Sequence, residues 1–252
     1  MAATSGQPTG NAIEVKNLGI KFSVNRRRRL ELKNLFIQGV SATGADYWAL
    51  RHVSFKIAKG ESVGVVGRNG CGKSTLLRLI AGVMLPDEGQ IRVDGGVGAM
   101  IELSAGFVSD LTARENVYLI SSLHGFTREQ TDERFDEIMK WAGVARFVDT
   151  PVGHFSSGMR ARLAFSIVTR MEEPILLVDE VLAVGDKAFK RKCGVVIDGI
   201  LNEGRTMLLV SHNENDLRRW CTRGIYLRRD EKLVEGPIED ILDLYLSDDD
   251  GT

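Results

Sequence analysis

The stretch Gly67-Arg68-Asn69-Gly70-Cys71-Gly72-Lys73-Ser74-Thr75 decides the predicted fold of this 252-residue chain. It fits the pattern G-x-x-x-x-G-K-[ST], in which a glycine-rich loop holds a phosphate group. The apolar run at 62–66 that precedes it is typical of a buried parallel strand. The apolar residues that follow recur at helical spacing, at Leu76, Leu77, Leu79, Ile80 and Ala81. Strand, loop and helix in this order predict an α/β protein built on a parallel sheet.

Each residue type in this loop has a physical reason to be there. Glycines let backbone N–H groups turn towards phosphate oxygens, and the start of the helix adds the positive end of its dipole. Lys73 supplies a charge to the β- and γ-phosphates, and the Ser74 hydroxyl suits Mg²⁺. The alternative interpretation is a glycine-rich turn that binds no ligand. We expect ATP and Mg²⁺ here, with phosphate contacts from Gly67, Asn69, Gly70, Gly72, Lys73, Ser74 and Thr75.

Two further apolar runs end in polar residues. Residues 174–178 lead into Asp179 and Glu180, and residues 206–210 lead into Ser211 and His212. Carboxyl ends of parallel strands meet at one edge of a sheet, where ligands bind. We expect Asp179 to hold Mg²⁺ and Glu180 to polarise the water that attacks the γ-phosphate. A histidine after a strand is more often structural than catalytic, and only its place beside these motifs favours a function for His212.

The region between the first two of these strands has helical character. Thr112 to Glu115 and Thr127 to Gln130 both fit the capping-box pattern that opens a helix. In the second of these helices, one stripe of apolar residues indicates core packing, at Phe135, Ile138, Met139 and Ala142. A third helix is predicted near Phe155-Ser156-Ser157-Gly158-Met159, where serine hydroxyls and free N–H groups suit either simple capping or an anion.

The composition argues against several classes of function. There are 33 basic and 34 acidic side chains, and a net charge of -1 offers no electrostatic footprint for nucleic acid. No uncharged apolar run reaches the ~18 residues that a membrane-spanning helix needs. Residues 1–11 are polar and small, which predicts a flexible tail and no signal peptide. The three cysteines lack paired metal spacing and suit a reducing compartment. These features predict a cytoplasmic protein.

Taken in order, these motifs resemble those of the ABC-transporter ATPase family over residues 13–246. The resemblance implies a P-loop (RecA-like) core with an antiparallel β subdomain and an inserted α-helical subdomain. The core is expected at 12–101 and 174–246, and the helical subdomain at 102–173. A flexible tail is expected at 1–11 and an acidic tail at 247–252.

The resemblance also implies roles for single residues. In that family the serine-glycine signature of one copy closes over ATP on the phosphate loop of a second copy, so Ser156, Ser157 and Gly158 are expected to contact a γ-phosphate across a homodimer holding two ATP. Asp186 matches a dimer-contact aspartate, and His212 matches a histidine that senses the γ-phosphate. Phe22 falls where an aromatic ring stacks on adenine, with Tyr47 and Trp48 as substitutes.

The chain departs from the general family pattern at three places. Its signature has serine for a glycine at position 157 and methionine for glutamine at 159. The family's metal-contacting glutamine is missing, and Glu102 is the expected equivalent and a further Mg²⁺ ligand. About 25 residues separate Phe22 from Trp48, with four arginines at 26–29 that suit either a solvated face or an anionic lipid surface.

These departures resemble ATPase subunits of polysaccharide exporters of the O-antigen and teichoic-acid type, or of the actinobacterial cell-wall galactan exporter. That resemblance implies an ATPase motor driving export of a lipid-linked polysaccharide. It also implies a homodimer on the cytoplasmic face of the inner membrane, bound to two copies of a permease. The carbohydrate-binding domain that some of those subunits add at their C-terminus is not expected within these 252 residues.

Three other functions stay open from the sequence. One is a soluble ABC ATPase acting on nucleic acid or in translation, although such proteins typically have two cassettes or a long coiled-coil insert. Another is the ATPase of an exporter for a different substrate. The third is a nucleotide sensor that does not hydrolyse ATP, against which Glu180 argues.

Overall fold

The computed structural model describes residues 10–23, 46–101, 106–179, 187–228 and 233–249. Several sequence predictions lie outside these residues and stay predictions. They concern the insert with its arginines at 26–29, together with Glu102, Glu180 and Asp186.

The described strands form two sheets. A three-stranded antiparallel sheet has the order β2-β1-β4, and a six-stranded sheet has the order β5-β6-β7-β3-β8-β9. The larger sheet is parallel except for β9, which runs antiparallel to β8. The strands are β1 (Asn11–Ser23), β2 (Asp46–Ala58), β3 (Ser62–Val66), β4 (Glu88–Val93), β5 (Val97–Met100), β6 (Ile175–Asp179), β7 (Thr206–Val210), β8 (Arg223–Tyr226) and β9 (Val234–Pro237).

Helices cover both faces of the larger sheet, which explains why β3 and β7 are buried along their whole length. Helix α1 (Lys73–Ile80) shares one apolar core with β1 and β2. The opposite face packs against α5 (Lys187–Asn202), α6 (Glu214–Trp220) and α7 (Ile238–Asp249). This confirms the expected α/β core with an antiparallel β sheet beside it.

A separate apolar core holds the helical region between β5 and β6. It is built from α2 (Ala113–Leu123), α3 (Arg128–Ala142) and α4 (Ser157–Arg170), with 3-10 turns at Ala145–Phe147 and Val152–His154. Both predicted capping boxes are present, at Thr112 and at Thr127. The predicted stripe of α3 is confirmed as core, since all four of its residues are buried. These three helices form what we call the helical lobe.

Two element ends differ from the ranges expected for the tails. Strand β1 begins at Asn11, inside the range 1–11, because it pairs with Ala58 of β2. Helix α7 continues past Leu246 to Asp249, so its last turn lies in the range expected for the acidic tail. The Asp248 carboxylate in that turn bonds to the core, which gives the helix a reason to extend.

Asn116 organises the start of the helical lobe. It is fully buried in α2, where its Oδ1 accepts the Val108 N–H at 2.8 Å. Its Nδ2 lies 2.9–3.1 Å from the carbonyl oxygens of Val108, Leu111 and Thr112. The amide therefore supplies the acceptor for the Val108 N–H and adds a second donor to carbonyls that already accept backbone N–H groups. No local sequence pattern singles this residue out.

Replacing Asn116 with alanine is expected to lower the free energy of unfolding by about 1–3 kcal/mol, because the Val108 N–H loses its acceptor inside the protein. Urea denaturation followed by circular dichroism measures this loss. The matched control is Ser122→Ala, on the exposed face of the same helix, which should change stability by less than about 0.5 kcal/mol. Equal effects of the two substitutions would contradict the role given to Asn116.

Candidate nucleotide-binding site

The phosphate loop connects β3 to α1 at the carboxyl edge of the larger sheet, between two neighbouring segments of backbone. Gly67 has a φ of 154°, and a Cβ there would lie 2.5 Å from the Leu227 carbonyl oxygen. Gly72 has a φ of 104°, and its Cβ would lie 2.9 Å from the Ala49 carbonyl oxygen and 2.7 Å from Leu50 Cδ2. Only glycine fits either position, since both backbone angle and space exclude a side chain. The loop is thus held from β2 on one side and from the end of β8 on the other.

Lys73 is the first residue of α1 and is buried. Its Nζ donates to the Gly67 carbonyl oxygen at 2.6 Å and lies 3.2 Å from the Arg68 carbonyl oxygen. These bonds fold the ammonium group back over the loop. Gly72 caps α1 without a side-chain acceptor, and no acidic residue lies in the first turn. The N–H groups of Lys73, Ser74 and Thr75 are therefore oriented for an external anion.

Other residues of the loop are at least partly accessible to a ligand. Asn69 and Gly70 are exposed at the tip, and Ser74 and Thr75 are half-buried in the first turn of α1. Burial raises the pKa of the Cys71 thiol, and the nearby Lys73 charge only partly offsets this. The thiol stays protonated at neutral pH, and we assign no chemistry to Cys71.

The predicted strand ends meet at the same edge as the loop. Asp179 is level with Val210 in β7, and Val210 is level with Val65 in β3. Because neighbouring strands are about 4.8 Å apart, Asp179 lies about 10 Å across the sheet from Val65, which comes two residues before Gly67. Ser211 and His212 follow directly after β7, and the Ser211 hydroxyl accepts the Asn213 N–H at 3.0 Å. Ser211 thus shapes a turn, while His212 is exposed beside the loop strand.

Of the three aromatic candidates, the structure pairs two and separates the third. Phe22 and Tyr47 are register partners, with ring centroids 6.3 Å apart. They continue the hairpin face of Ile20 and Leu50, the face on which Leu50 touches Gly72. Trp48 pairs instead with Lys21 on the other face, where the Arg51 guanidinium lies 4.4 Å from its ring centroid. Phe22 and Tyr47 together are the aromatic surface on the loop side.

The serine-glycine segment opens helix α4 in the helical lobe. Ser156 is the N-cap, and its Oγ accepts the Met159 N–H at 3.2 Å. Ser156 and Ser157 are exposed, whereas the preceding Phe155 is buried in the lobe core. Helix α4 packs against α3 and β5. Its first turn contains no acidic side chain, and Gly158 leaves the surface there open.

The sequence did not predict which residues pack against the phosphate loop. Ala49, Leu50 and Leu227 touch Gly67 or Gly72 through contacts that join distant parts of the chain. Nothing in their local sequence distinguishes them from other strand residues. The glycines at 67 and 72 indicate that other backbone comes close to the loop, but they do not indicate which residues those are.

Comparisons with known proteins agree with this geometry. The family model described as ABC transporter matches residues 50–183. The O-antigen export system ATP-binding protein RfbB of Klebsiella pneumoniae is 43% identical over 202 residues, covering 80% of this chain and 82% of the relative. The teichoic acids export ATP-binding protein TagH of Lactococcus lactis is 40% identical over 228 residues, covering 90% of this chain and 47% of the relative.

Solved structures share the fold at lower identity. An ATP-binding subunit of an ABC transporter superposes with a TM-score of 0.73 at 22% identity, covering 93% of each chain. The cassette MJ0796, as a dimer bound to ADP and Pi, has a TM-score of 0.71 at 23% identity, covering 90% of this chain and 98% of that one. Within the described ranges, no helix is both long enough and apolar enough to cross a bilayer.

The tight packing at Gly72 can be tested by comparing it with Gly82, which serves as the control. Gly82 also has a positive φ, 72°, but a Cβ there meets nothing within 4 Å. Gly82→Ala should cost about 1 kcal/mol of unfolding free energy from backbone strain alone. Gly72→Ala should cost about 2 kcal/mol more, because it must displace the Ala49 carbonyl and Leu50. Denaturant unfolding of the two variants measures the difference, and similar losses would show that the loop is not confined by β2.

Proposed function

This chain belongs to the ABC transporter ATP-binding family, and we propose that it is the ATP-hydrolysing subunit of a lipid-linked polysaccharide exporter. The observation that carries the ATP-binding part is the phosphate loop, with Lys73 folded over it and two strand ends beside it. The export part is supported by relatives named for O-antigen and teichoic-acid export. O-antigen, teichoic acid and cell-wall galactan are the candidate glycans.

ATP phosphates fit the loop because its charge and its donors are complementary to them. Lys73 and the N–H groups at the start of α1 supply positive potential where the β- and γ-phosphates are expected. Ser74 and Asp179 supply oxygen atoms, the ligand type that Mg²⁺ prefers. Among the described residues, no group of three or more His, Cys, Asp or Glu side chains forms a metal site. Mg²⁺ suits this sparse set, since phosphates and waters complete its shell. Glu102 is a further proposed ligand.

Phe22 and Tyr47 are proposed to hold the adenine ring. Their rings lie on the loop side of the β1–β2 hairpin, two residues from the backbone that contacts Gly72. Flat π surfaces of this kind suit stacking on a base. Trp48 is assigned no contact with ATP, because Lys21 and Arg51 engage its ring on the other face.

Hydrolysis is assigned to residues beside the γ-phosphate position. Glu180 follows directly after Asp179, which suits a group that orients and deprotonates the attacking water. His212, exposed after β7 at the same edge, is proposed to contact the γ-phosphate. Asp186, seven residues after Asp179, is proposed to contact the second copy.

The tip of the loop at Asn69 and Gly70 is exposed, and a second copy is proposed to close over it. Ser156, Ser157 and Gly158 present hydroxyl and N–H groups at the exposed start of α4. They are proposed to contact the γ-phosphate of ATP bound to the partner, with two ATP per homodimer. The serine at 157 and the methionine at 159 leave this end of the helix without a negative charge.

The homodimer is proposed to act with two copies of a membrane permease on the cytoplasmic face of the inner membrane. ATP-driven closure of the dimer would then displace the helical lobes, which have their own apolar core. A function on nucleic acid is not favoured, because the net charge of -1 offers no attraction to a phosphate backbone.

Lys73→Ala tests ATP binding and export together. Loss of the buried ammonium should weaken ATP affinity by about tenfold to a hundredfold in calorimetric titration with Mg²⁺ present. Cells that depend on the variant should also lose the exported glycan from their surface. The control Lys59→Ala removes a lysine that pairs with Asp94 and should leave both readouts unchanged. Unaltered ATP affinity would refute the site, and continued glycan export without ATP binding would refute the export function.

Glu180→Gln separates ATP binding from hydrolysis. The amide keeps the size of the side chain but loses the base, so turnover should fall by at least about a hundredfold while ATP affinity is retained. ATP should then hold the dimer closed, which size-exclusion chromatography with light scattering detects as a doubled mass. Glu203→Gln, an exposed acid beyond α5, is the control and should behave as wild type. Normal turnover in Glu180→Gln would remove Glu180 from its proposed role.

A further inference from the structure

The last turn of α7 is fastened to the end of strand β8 by one carboxylate. The Tyr226 hydroxyl donates to Asp248 Oδ2 at 3.1 Å, and Arg228 Nη2 lies 2.7 Å from the same oxygen. The rings of Tyr226 and Tyr245 add an edge contact, with centroids 5.6 Å apart. Burial and the Asp248 charge raise the pKa of Tyr226, so its hydroxyl remains a donor at neutral pH.

Leu227, which lies between Tyr226 and Arg228 in the chain, is in contact with the phosphate loop. Leu227 donates its N–H to the Val66 carbonyl oxygen at 2.9 Å. Its own carbonyl oxygen lies 2.5 Å from the place where a Cβ of Gly67 would be. Leu227 therefore braces the last residue of β3 and the first glycine of the loop.

Close packing connects the rest of α7 to the same strands. Gly64 of β3 and Gly224 of β8 have no side chain, and that space is filled by Ile238 and Ile241 of α7 together with Leu217 of α6. A Cβ at Gly64 would lie 3.1 Å from Ile238 Cδ1, and one at Gly224 would lie 2.8 Å from Ile241 Cγ2. Interiors packed this tightly transmit a shift of one element to its neighbour. The helix is thus in contact with the strand that leads into the loop.

We propose that Asp248 is a positioning residue for the phosphate loop: through Tyr226 and Arg228 it holds Leu227 against Gly67 and thereby sets the affinity of the loop for ATP phosphates. This inference rests on the proposed ATP-binding function. The Asp248 side chain is 41% exposed and that of Arg228 is 25% exposed. A pair this exposed adds little to global stability, so its loss should appear in the affinity for ATP and not in the unfolding midpoint.

Asp248→Asn is the direct test, with Asp243→Asn as the matched control. Both remove one negative charge from α7, but Asp243 is exposed and has no hydrogen bond or ion pair among the described contacts. Steady-state ATPase assays with MgATP should show KM raised about threefold to tenfold by Asp248→Asn, with kcat within about twofold of wild type. The control should match wild type in both constants. Thermal unfolding midpoints of the two variants should agree.

Tyr226→Phe removes the second contact to Asp248 while keeping the ring, and it decides the question if Asp248→Asn does not fold. Like Asp248→Asn, Tyr226→Phe should raise KM. Because both act through Leu227, the double variant should raise KM by less than the product of the single effects.

Unchanged KM in the folded single variants would overturn the proposal. So would equal losses of kcat and thermal stability, which indicate a purely structural role. A wild-type protein that fails to bind MgATP would instead refute the proposed function itself.

Discussion

The structure depends on the close approach of two backbone segments to the phosphate loop. A loop that turns several N–H groups towards one point exposes unpaired donors and needs positive φ angles, so it is intrinsically unfavourable without support. Here β2 supports Gly72 through Ala49 and Leu50, and Leu227 supports Gly67. The absence of side chains at the two glycines is what permits this approach. In the order β7-β3-β8, the strand that leads into the loop lies between two neighbours.

The sheet that positions the site is buried on both faces, and this has a consequence for function. Continuous apolar strands leave only their carboxyl ends free to present polar groups, so Asp179 and His212 emerge beside the loop. The helical lobe has its own apolar core and adds Ser156 and Ser157 from a different part of the molecule. The sheet edge with the phosphate loop and the separately packed lobe are the two parts that a second copy is proposed to bring together. That division suits a machine in which ATP closes a dimer.

Electrostatics complement this arrangement without any large net charge. The chain is close to neutral overall, yet both helix starts assigned to ATP phosphates, α1 and α4, lack acidic residues in their first turn. The other helices of the lobe follow the opposite pattern, since the first turn of α2 contains Glu115 and that of α3 contains Glu129. A helix start without a carboxylate keeps its positive potential available to an external anion. Within the helical lobe, the distribution of acids among helix starts thus agrees with the site assigned at α4, independently of the glycine pattern.

The sequence by itself determined the local features: the phosphate loop, the apolar strands with polar ends, both capping boxes and the core stripe of α3. Each depends on residues close together in the chain, where periodicity and turn chemistry act directly. Only the tertiary structure decided that Tyr47 joins Phe22 while Trp48 faces away, that Asn116 is buried, and that Leu227 and Asp248 support Gly67. The contact of Leu227 with Gly67 joins residues 160 positions apart, and such contacts exist only because sheet order and helix packing bring distant segments into van der Waals range.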